Sequence, residues 1–221
     1  MEVELFMPSL KRFDVTGYKN QTVPNMYIDF GSDQLAIFLP GIGYTNDSPI
    51  LHYTGSYLLQ KEINILRVDY RYSDSDEFLN STKGEQAHWI IEDVKPAVEA
   101  VLSEKDFKKI ILIGKSMGTI ALGEILSSIT KLKDAEVIWL TPLINHDELV
   151  AQILKINNRS LLIMGTEDHA YKADQLEKIL EKKNVDSLII EGLNHSLEIE
   201  NQIIESIHAS QKILLKIMSF V

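Results

Sequence analysis

Short apolar runs alternate with longer amphipathic segments along most of the chain. The apolar runs have the length of strands and occupy residues 26–30, 35–39, 63–68, 110–113, 136–140, 160–164 and 187–190. The amphipathic segments have apolar positions three and four residues apart, which indicates helices. They occupy residues 85–104, 117–129, 146–154, 173–183 and 198–218. Because the strand segments are apolar rather than alternating, we predict an α/β fold with a mostly parallel central sheet and helices on both faces.

Local features add detail to this pattern. Gly31-Ser32-Asp33 is predicted to form a turn between the first two strands. Pro96 lies inside the helix predicted for 85–104 and argues against its continuity. That helix should bury the side formed by Ile90, Ile91, Val94, Val98, Val101 and Leu102. The last helix should bury a stripe formed by Ile199, Ile203, Ile207, Leu214 and Met218.

Size and composition are typical of one domain that needs no covalent cross-link. At roughly 100–200 residues per domain, the 221 residues predict a single domain over residues 1–221. No repeat, low-complexity tract or linker composition interrupts the sequence. The sequence has no cysteine, which excludes disulfides, thiolate nucleophiles and cysteine-ligated metal centres.

Charge and the N-terminal sequence argue against several classes of partner. The formal net charge is −10 at pH 7, whereas a surface that binds nucleic acid or anionic lipid is expected to be basic. Glu2 and Glu4 occupy positions where an export signal would be positively charged. No run approaches the ~18 apolar residues of a membrane-spanning helix. We therefore expect a cytoplasmic protein with no nucleic-acid or membrane partner.

A candidate nucleophile follows the apolar run at 110–113. In folds of this kind, ligands bind at the carboxyl ends of the strands. Here the strand leads into Gly114-Lys115-Ser116-Met117-Gly118, and a helix follows. A serine at the tip of such a turn has strained backbone, and its neighbours must be small so that strand and helix can approach each other. The helix N-terminus directs free amides toward the same point, where an oxyanion could form.

The alternative interpretation of Gly114-Lys115-Ser116 is the end of a phosphate-binding loop. That motif requires a glycine five positions before Gly114, where this chain has Lys109. We therefore interpret Ser116 as a nucleophile.

A serine nucleophile needs a base, and the base needs a group that orients it. His195 lies just after the last predicted strand, in Gly192-Leu193-Asn194-His195-Ser196. His52 and His146 lie in loops or short helices and remain alternatives by position. The acid should also follow a strand. Asp168, in Gly165-Thr166-Glu167-Asp168, is preferred, and Glu167 is the alternative.

These motifs resemble those of the α/β-hydrolase fold superfamily of serine hydrolases, from about residue 26 to the C-terminus. The order Ser116, Asp168, His195 is the order of nucleophile, acid and base in that family. Its acid commonly stands three residues after a glycine, as Asp168 does after Gly165, and its histidine often does likewise. In that family a cap usually follows the strand that ends here at Leu140. The next strand begins about twenty residues later, so no cap domain is expected.

The resemblance also implies an oxyanion loop, which reads Leu39-Pro40-Gly41-Ile42-Gly43-Tyr44. It implies that the backbone amides of Ile42 and Met117 bind the oxyanion. Pro40 stands where relatives usually have histidine. A second departure is the segment from Asp69 to Asp74, where many relatives have a glycine-rich turn.

The activity implied is hydrolysis of a small carboxylic ester through an acyl-enzyme on Ser116, with His195 as base and Asp168 orienting it. The expected partner is a small-molecule acyl substrate, and no metal or organic cofactor is implied. Tyr44, Pro142 and Leu143 are expected in the walls of an open, shallow site. The alternatives are a thioesterase or peptidase of the same fold, or a non-catalytic binding protein that retains the fold.

Overall fold

An eight-stranded sheet runs through the computed structural model, which describes residues 8–221. Glu2 and Glu4 lie outside the described residues. The strands are β1 (Ser9–Thr16), β2 (Thr22–Asp29), β3 (Gln34–Leu39), β4 (Asn64–Val68), β5 (Lys109–Lys115), β6 (Glu136–Leu140), β7 (Ser160–Gly165) and β8 (Val185–Ile190). The helices are α1 (Pro49–Gln60), α2 (Asp76–Leu79), α3 (Lys83–Glu104), α4 (Met117–Ser128), α5 (Asp147–Lys155), α6 (Ala173–Leu180) and α7 (Ile203–Phe220).

The strand order is β1-β2-β4-β3-β5-β6-β7-β8. All pairs from β4 to β8 are parallel, whereas β2 is antiparallel to both β1 and β4. The mostly parallel sheet is therefore confirmed. The turn at Gly31-Ser32-Asp33 does not form a hairpin, because β4 lies between the two strands that it connects. Strand β1 was not predicted, since it is a largely exposed edge strand with a polar sequence.

Helices cover both faces of the sheet, as predicted. One apolar core contains side chains of α3, α4, α5 and α6, and the other contains side chains of α1 and α7. Alternate residues of β3 point to opposite cores: Leu35 and Ile37 to the first, Ala36 and Phe38 to the second. This explains why the central strands are apolar throughout.

Two predictions about helices need correction, and α1 and α2 were not predicted. α3 is continuous from Lys83 to Glu104 although it contains Pro96. The stripe proposed for the last helix is wrong, because Ile203 and Ile207 are exposed. α7 instead buries Ser206, Ala209, Ile213, Ile217 and Phe220.

The chain between β6 and β7 contains one nine-residue helix, α5. Over residues 8–221 no cap domain covers the carboxyl edge of the sheet, as expected. None of the helices in this part of the chain is long and apolar enough to cross a membrane.

Candidate active site

Ser116 lies between β5 and α4 with φ 52° and ψ −120°. A positive φ is unfavourable for a residue with a side chain, so the turn is strained. Packing requires the glycines on either side. A Cβ at Gly118 would lie 2.7 Å from the carbonyl oxygen of Pro40, and one at Gly114 would lie 3.2 Å from that of Gly118. The turn therefore presents Ser116 at the carboxyl edge of the sheet.

The structure brings Ser116, His195 and Asp168 into one chain of hydrogen bonds. Ser116 Oγ is 2.7 Å from His195 Nε2, and His195 Nδ1 is 2.8 Å from Asp168 Oδ1. With the proton of the neutral imidazole on Nδ1, Nε2 can accept a hydrogen bond from the serine hydroxyl. This arrangement suits the transfer of a proton from Ser116 to His195.

Tight loops position Asp168 and His195. The backbone N–H of Ala170 donates to Asp168 Oδ1 at 2.8 Å, which fixes a carboxylate whose side chain is buried. Glu167, the alternative acid, points into solvent. In the loop after β8, the Asn194 side chain accepts hydrogen bonds from the backbone N–H groups of Ser196 and Glu198.

Burial and hydrogen bonding shift the two pKa values. Burial raises the pKa of Asp168, but hydrogen bonds from His195 and Ala170 outweigh it and leave that pKa below its usual value. Burial lowers the pKa of His195, and the charge of Lys115 lowers it further, against the opposing effect of Asp168. His195 therefore stays neutral, and able to accept a proton, at a lower pH than a free imidazole.

The loop after β3 lies beside Ser116. The hydroxyl of Tyr70, a buried residue, donates to the carbonyl oxygen of Pro40 at 2.5 Å, and the N–H of Gly41 donates to the carbonyl of Tyr44 at 3.0 Å. Met117 is the first residue of α4, so its N–H has no acceptor within the helix. Tyr70 thus links the two segments in which this sequence departs from the family pattern.

A cleft of about 300 Å³ opens over Ser116. Its walls include Ile42, Met117, Ile120, Leu143, Asn145, His146 and His169. Tyr44 and Pro142, which were expected in these walls, are not among them. Tyr44 instead is half-buried and packs against the core beside α1 and α7, and Pro142 is buried. A groove of about 690 Å³ along α3 and α5 shares several walls with the cleft, among them Ile120 and His146.

Sequence reasoning missed Ile120, Asn145 and His169 as residues that line the cleft, and it considered His146 only as an alternative base. His169 was detectable, since it directly follows Asp168. Ile120 was also detectable as the residue one turn after Ser116 in α4. Asn145 and His146 come from the loop after β6, which carries no motif.

Asp168, His169 and His195 place one potential metal-ligand atom each within 4.8 Å of one another. Both ring nitrogens of His195 are already hydrogen-bonded, to Ser116 and to Asp168. A metal ion would have to break one of these bonds, so the cluster suits proton transfer better than metal binding.

Comparison with known families identifies the class of protein. The sequence profile of the family described as alpha/beta hydrolase domain matches residues 32–218. That match spans most of the chain. The chain therefore belongs to the alpha/beta hydrolase family. No protein among those of curated function matches the sequence.

Several solved structures share this fold. The Pyrococcus furiosus esterase Pf2001 has 19% sequence identity and a TM-score of 0.69, over 95% of this chain and 92% of its own. An alpha-beta serine hydrolase homologue from Coxiella burnetii has 14% identity and a TM-score of 0.68, over 93% and 96%. A cold-adapted esterase from an Arctic intertidal metagenomic library has 17% identity and a TM-score of 0.66, over 95% and 96%. At these identities, the likeness shows the fold alone.

Proposed function

We propose that the protein is a serine hydrolase that cleaves a small carboxylic ester through an acyl-enzyme on Ser116. One observation carries this proposal: the hydrogen-bond chain from Ser116 Oγ through His195 to Asp168, at the bottom of an open cleft. A serine, a histidine and a buried carboxylate in this geometry form the machinery of acyl transfer.

In the first half-reaction, Ser116 Oγ attacks the carbonyl carbon while its proton passes to His195 Nε2. The tetrahedral intermediate collapses when the bond to the alcohol oxygen breaks and His195 protonates that oxygen. In the second half-reaction, His195 takes a proton from water, which attacks the acyl carbon. The carboxylic acid then leaves and Ser116 regains its proton. Asp168 fixes the imidazole tautomer and stabilises the charged ring throughout.

The backbone N–H groups of Ile42 and Met117 are the proposed oxyanion donors. Met117 stands at the positive end of the α4 dipole, and Ile42 lines the same cleft. Loss of one such donor typically reduces turnover by about 10²–10³.

The walls of the cleft favour a short acyl group. Ile42, Met117, Ile120 and Leu143 supply apolar contacts within about 300 Å³. Each methylene gains about 0.8 kcal/mol only where it is buried. We expect kcat/KM on p-nitrophenyl esters to be highest from acetyl to butyryl. If kcat/KM instead continues to increase up to the decanoyl ester, the acyl chain of the substrate would have to occupy the groove along α3 and α5.

A fluorophosphonate probe tests the proposed nucleophile. It should label the protein once, at Ser116, and label Ser116→Ala not at all. Ser128→Ala removes an exposed serine at the far end of α4 and should leave labelling unchanged. Labelling that persists in Ser116→Ala would refute the proposal.

The kind of bond that is cleaved can be tested with a matched oxygen ester, thioester and anilide of one acyl group. The proposal predicts that the oxygen ester has the highest kcat/KM. A higher value for the thioester or the anilide would make the protein a thioesterase or a peptidase.

A further inference from the structure

Lys115 is a buried lysine inside the turn that carries Ser116. Its residue surface is 1% exposed, whereas lysine is almost never fully buried without a charged partner. Within the described part of the chain, no carboxylate lies close enough to Lys115 for an ion pair. Burial lowers the pKa of its ammonium group to about 7, against an opposing effect of Asp168. The steps proposed above make no use of this side chain.

Two contacts hold the ammonium group. Lys115 Nζ donates to the carbonyl oxygen of His195 at 2.7 Å and lies 4.9 Å from the centre of the Tyr44 ring. The Tyr44 hydroxyl in turn accepts from the N–H of Ile50 in α1. One side chain therefore connects the turn of Ser116, the main chain of His195 and the loop that carries Ile42.

A buried ammonium group of this kind destabilises the folded protein. An unpaired ammonium in the interior loses its hydration, and one carbonyl and one ring replace only part of it. An apolar residue of similar length would avoid this penalty. A buried charge of this kind is therefore more readily explained by activity than by stability.

We propose that Lys115 is a positioning residue, which holds the main chain of His195 so that Nε2 faces Ser116 Oγ. The charge of Lys115 also lowers the pKa of His195 and so favours the neutral imidazole. This inference rests on the proposed serine hydrolase function. Within the described residues, the other titratable groups around this part of the site are Asp168, His169, Tyr44 and Glu198, with His146 and Lys83 in the walls of the cleft. Of these, Asp168 opposes the effect of Lys115 on His195.

The test is Lys115→Met, which retains the length of the side chain and removes its charge and donor. We expect kcat on p-nitrophenyl butyrate to fall about ten- to hundredfold with KM little changed, because small displacements of reacting groups have effects of this size. The acid limb of the kcat/KM profile should move to higher pH, because His195 loses a positive neighbour. The melting temperature should stay equal or rise, since an uncompensated charge leaves the interior.

Lys182→Met is the matched control. Lys182 Nζ also donates to a backbone carbonyl at 2.7 Å, that of Leu154, but at an exposed position away from the cleft. This variant should keep the kcat and the pH profile of the native protein.

The outcomes distinguish a failure of the inference about Lys115 from a failure of the proposed serine hydrolase function. A Lys115→Met variant with native kcat and pH profile, or one with a lower melting temperature and unchanged kcat, would show a merely structural lysine. If the native protein does not react with fluorophosphonate at Ser116, the proposed function itself fails.

A second measurement uses the native protein, in case Lys115→Met does not fold. With ¹⁵N-labelled lysine, the Nζ resonance of Lys115 should shift when a fluorophosphonate occupies Ser116, because the ammonium is bonded to the main chain of His195. The Lys182 resonance should not shift. If neither the Lys115 nor the Lys182 resonance shifts, the link between Lys115 and the reacting groups is refuted.

Discussion

Asn158 and Lys115 are both buried polar residues, and they lie at opposite ends of the parallel strands. Before β7, Asn158 Nδ2 donates to the carbonyl oxygens of Leu132 and Ala135, at 3.0 and 2.8 Å. The backbone carbonyl of Asn158 accepts from the side chain of Asn184 at 2.7 Å. At this end, side-chain amides donate to buried backbone carbonyls, which stabilises the fold.

The carboxyl end differs. Ser116 and Thr141, the residues that follow β5 and β6, have φ angles of 52° and 42°. Lys115 is buried with a single hydrogen bond. Strain and an unpaired charge both disfavour the folded state. The comparison indicates that one end of the sheet stabilises the fold, whereas the other carries the proposed active site. Substitutions at the two ends should therefore have separable effects.

The largest expected effect is that of Asp168→Asn. An amide in place of the carboxylate would favour the wrong imidazole tautomer, so kcat should fall by about 10⁴. Glu167→Gln, at the neighbouring exposed position, should have little effect. Kinetics on p-nitrophenyl butyrate give both values, and the reverse ranking would move the acid to Glu167.

At the amino end, Asn158→Ala should destabilise the protein. The substitution leaves the carbonyl of Ala135 without its side-chain donor, whereas the carbonyl of Leu132 still accepts from the N–H of Ala135. The free energy of unfolding should therefore fall by about 1–3 kcal/mol. Activity per folded molecule should not change. Urea unfolding with Asn157→Ala, an exposed neighbour, as control checks this. A loss of kcat in Asn158→Ala would remove the distinction between the two ends.

Tyr70→Phe should reduce kcat by about fivefold, because one neutral hydrogen bond of about 1 kcal/mol to the Pro40 carbonyl is lost and the oxyanion loop is held less firmly. Tyr72→Phe is the matched control. The rings of Tyr70 and Tyr72 are stacked at 4.6 Å, but the Tyr72 hydroxyl bonds Asp93 instead. Tyr72→Phe should lower stability while kcat is retained. Equal losses of kcat in both variants would refute a specific role of Tyr70.

The last expected effect is a pH dependence of stability. The folded-state pKa of Lys115, about 7, lies below the ordinary lysine value of 10.5. The unfolded chain therefore binds more protons between these values, and Lys115 makes unfolding harder as pH rises through this window. The difference in melting temperature between Lys115→Met and the native protein should shrink from pH 7 toward pH 10. A constant difference would show that the ammonium is not desolvated.

The strands and the chain order of the site residues were predictable because they rest on local patterns. β5 is an apolar run with glycines at its end, and the residues after β5, β7 and β8 must meet at one edge of a parallel sheet. The buried face of α7 was not predictable from periodicity. The helix has apolar residues on more than one side, and Ile203 and Ile207 form a stripe as regular as the buried one.

The functional neighbours of Ser116 depend on tertiary contacts that the sequence does not reveal. Lys115 contacts His195, which is 80 residues away in sequence, and Tyr70 contacts Pro40, which is 30 residues away. The walls of the cleft were only partly predicted. Tyr44 is the last residue of the proposed oxyanion loop, but its ring turns toward α1, where its hydroxyl accepts from the N–H of Ile50.

Direct detection of an acyl-enzyme tests the proposed mechanism most sharply. The protein is mixed with p-nitrophenyl acetate and quenched in acid within the first turnover, and its peptides are analysed by mass spectrometry. We expect an acetyl group on Ser116, and none on that peptide in Ser116→Ala. Hydrolysis that proceeds without acetylated Ser116 and stops when a chelator is added would contradict the serine mechanism and assign the reaction to a metal ion.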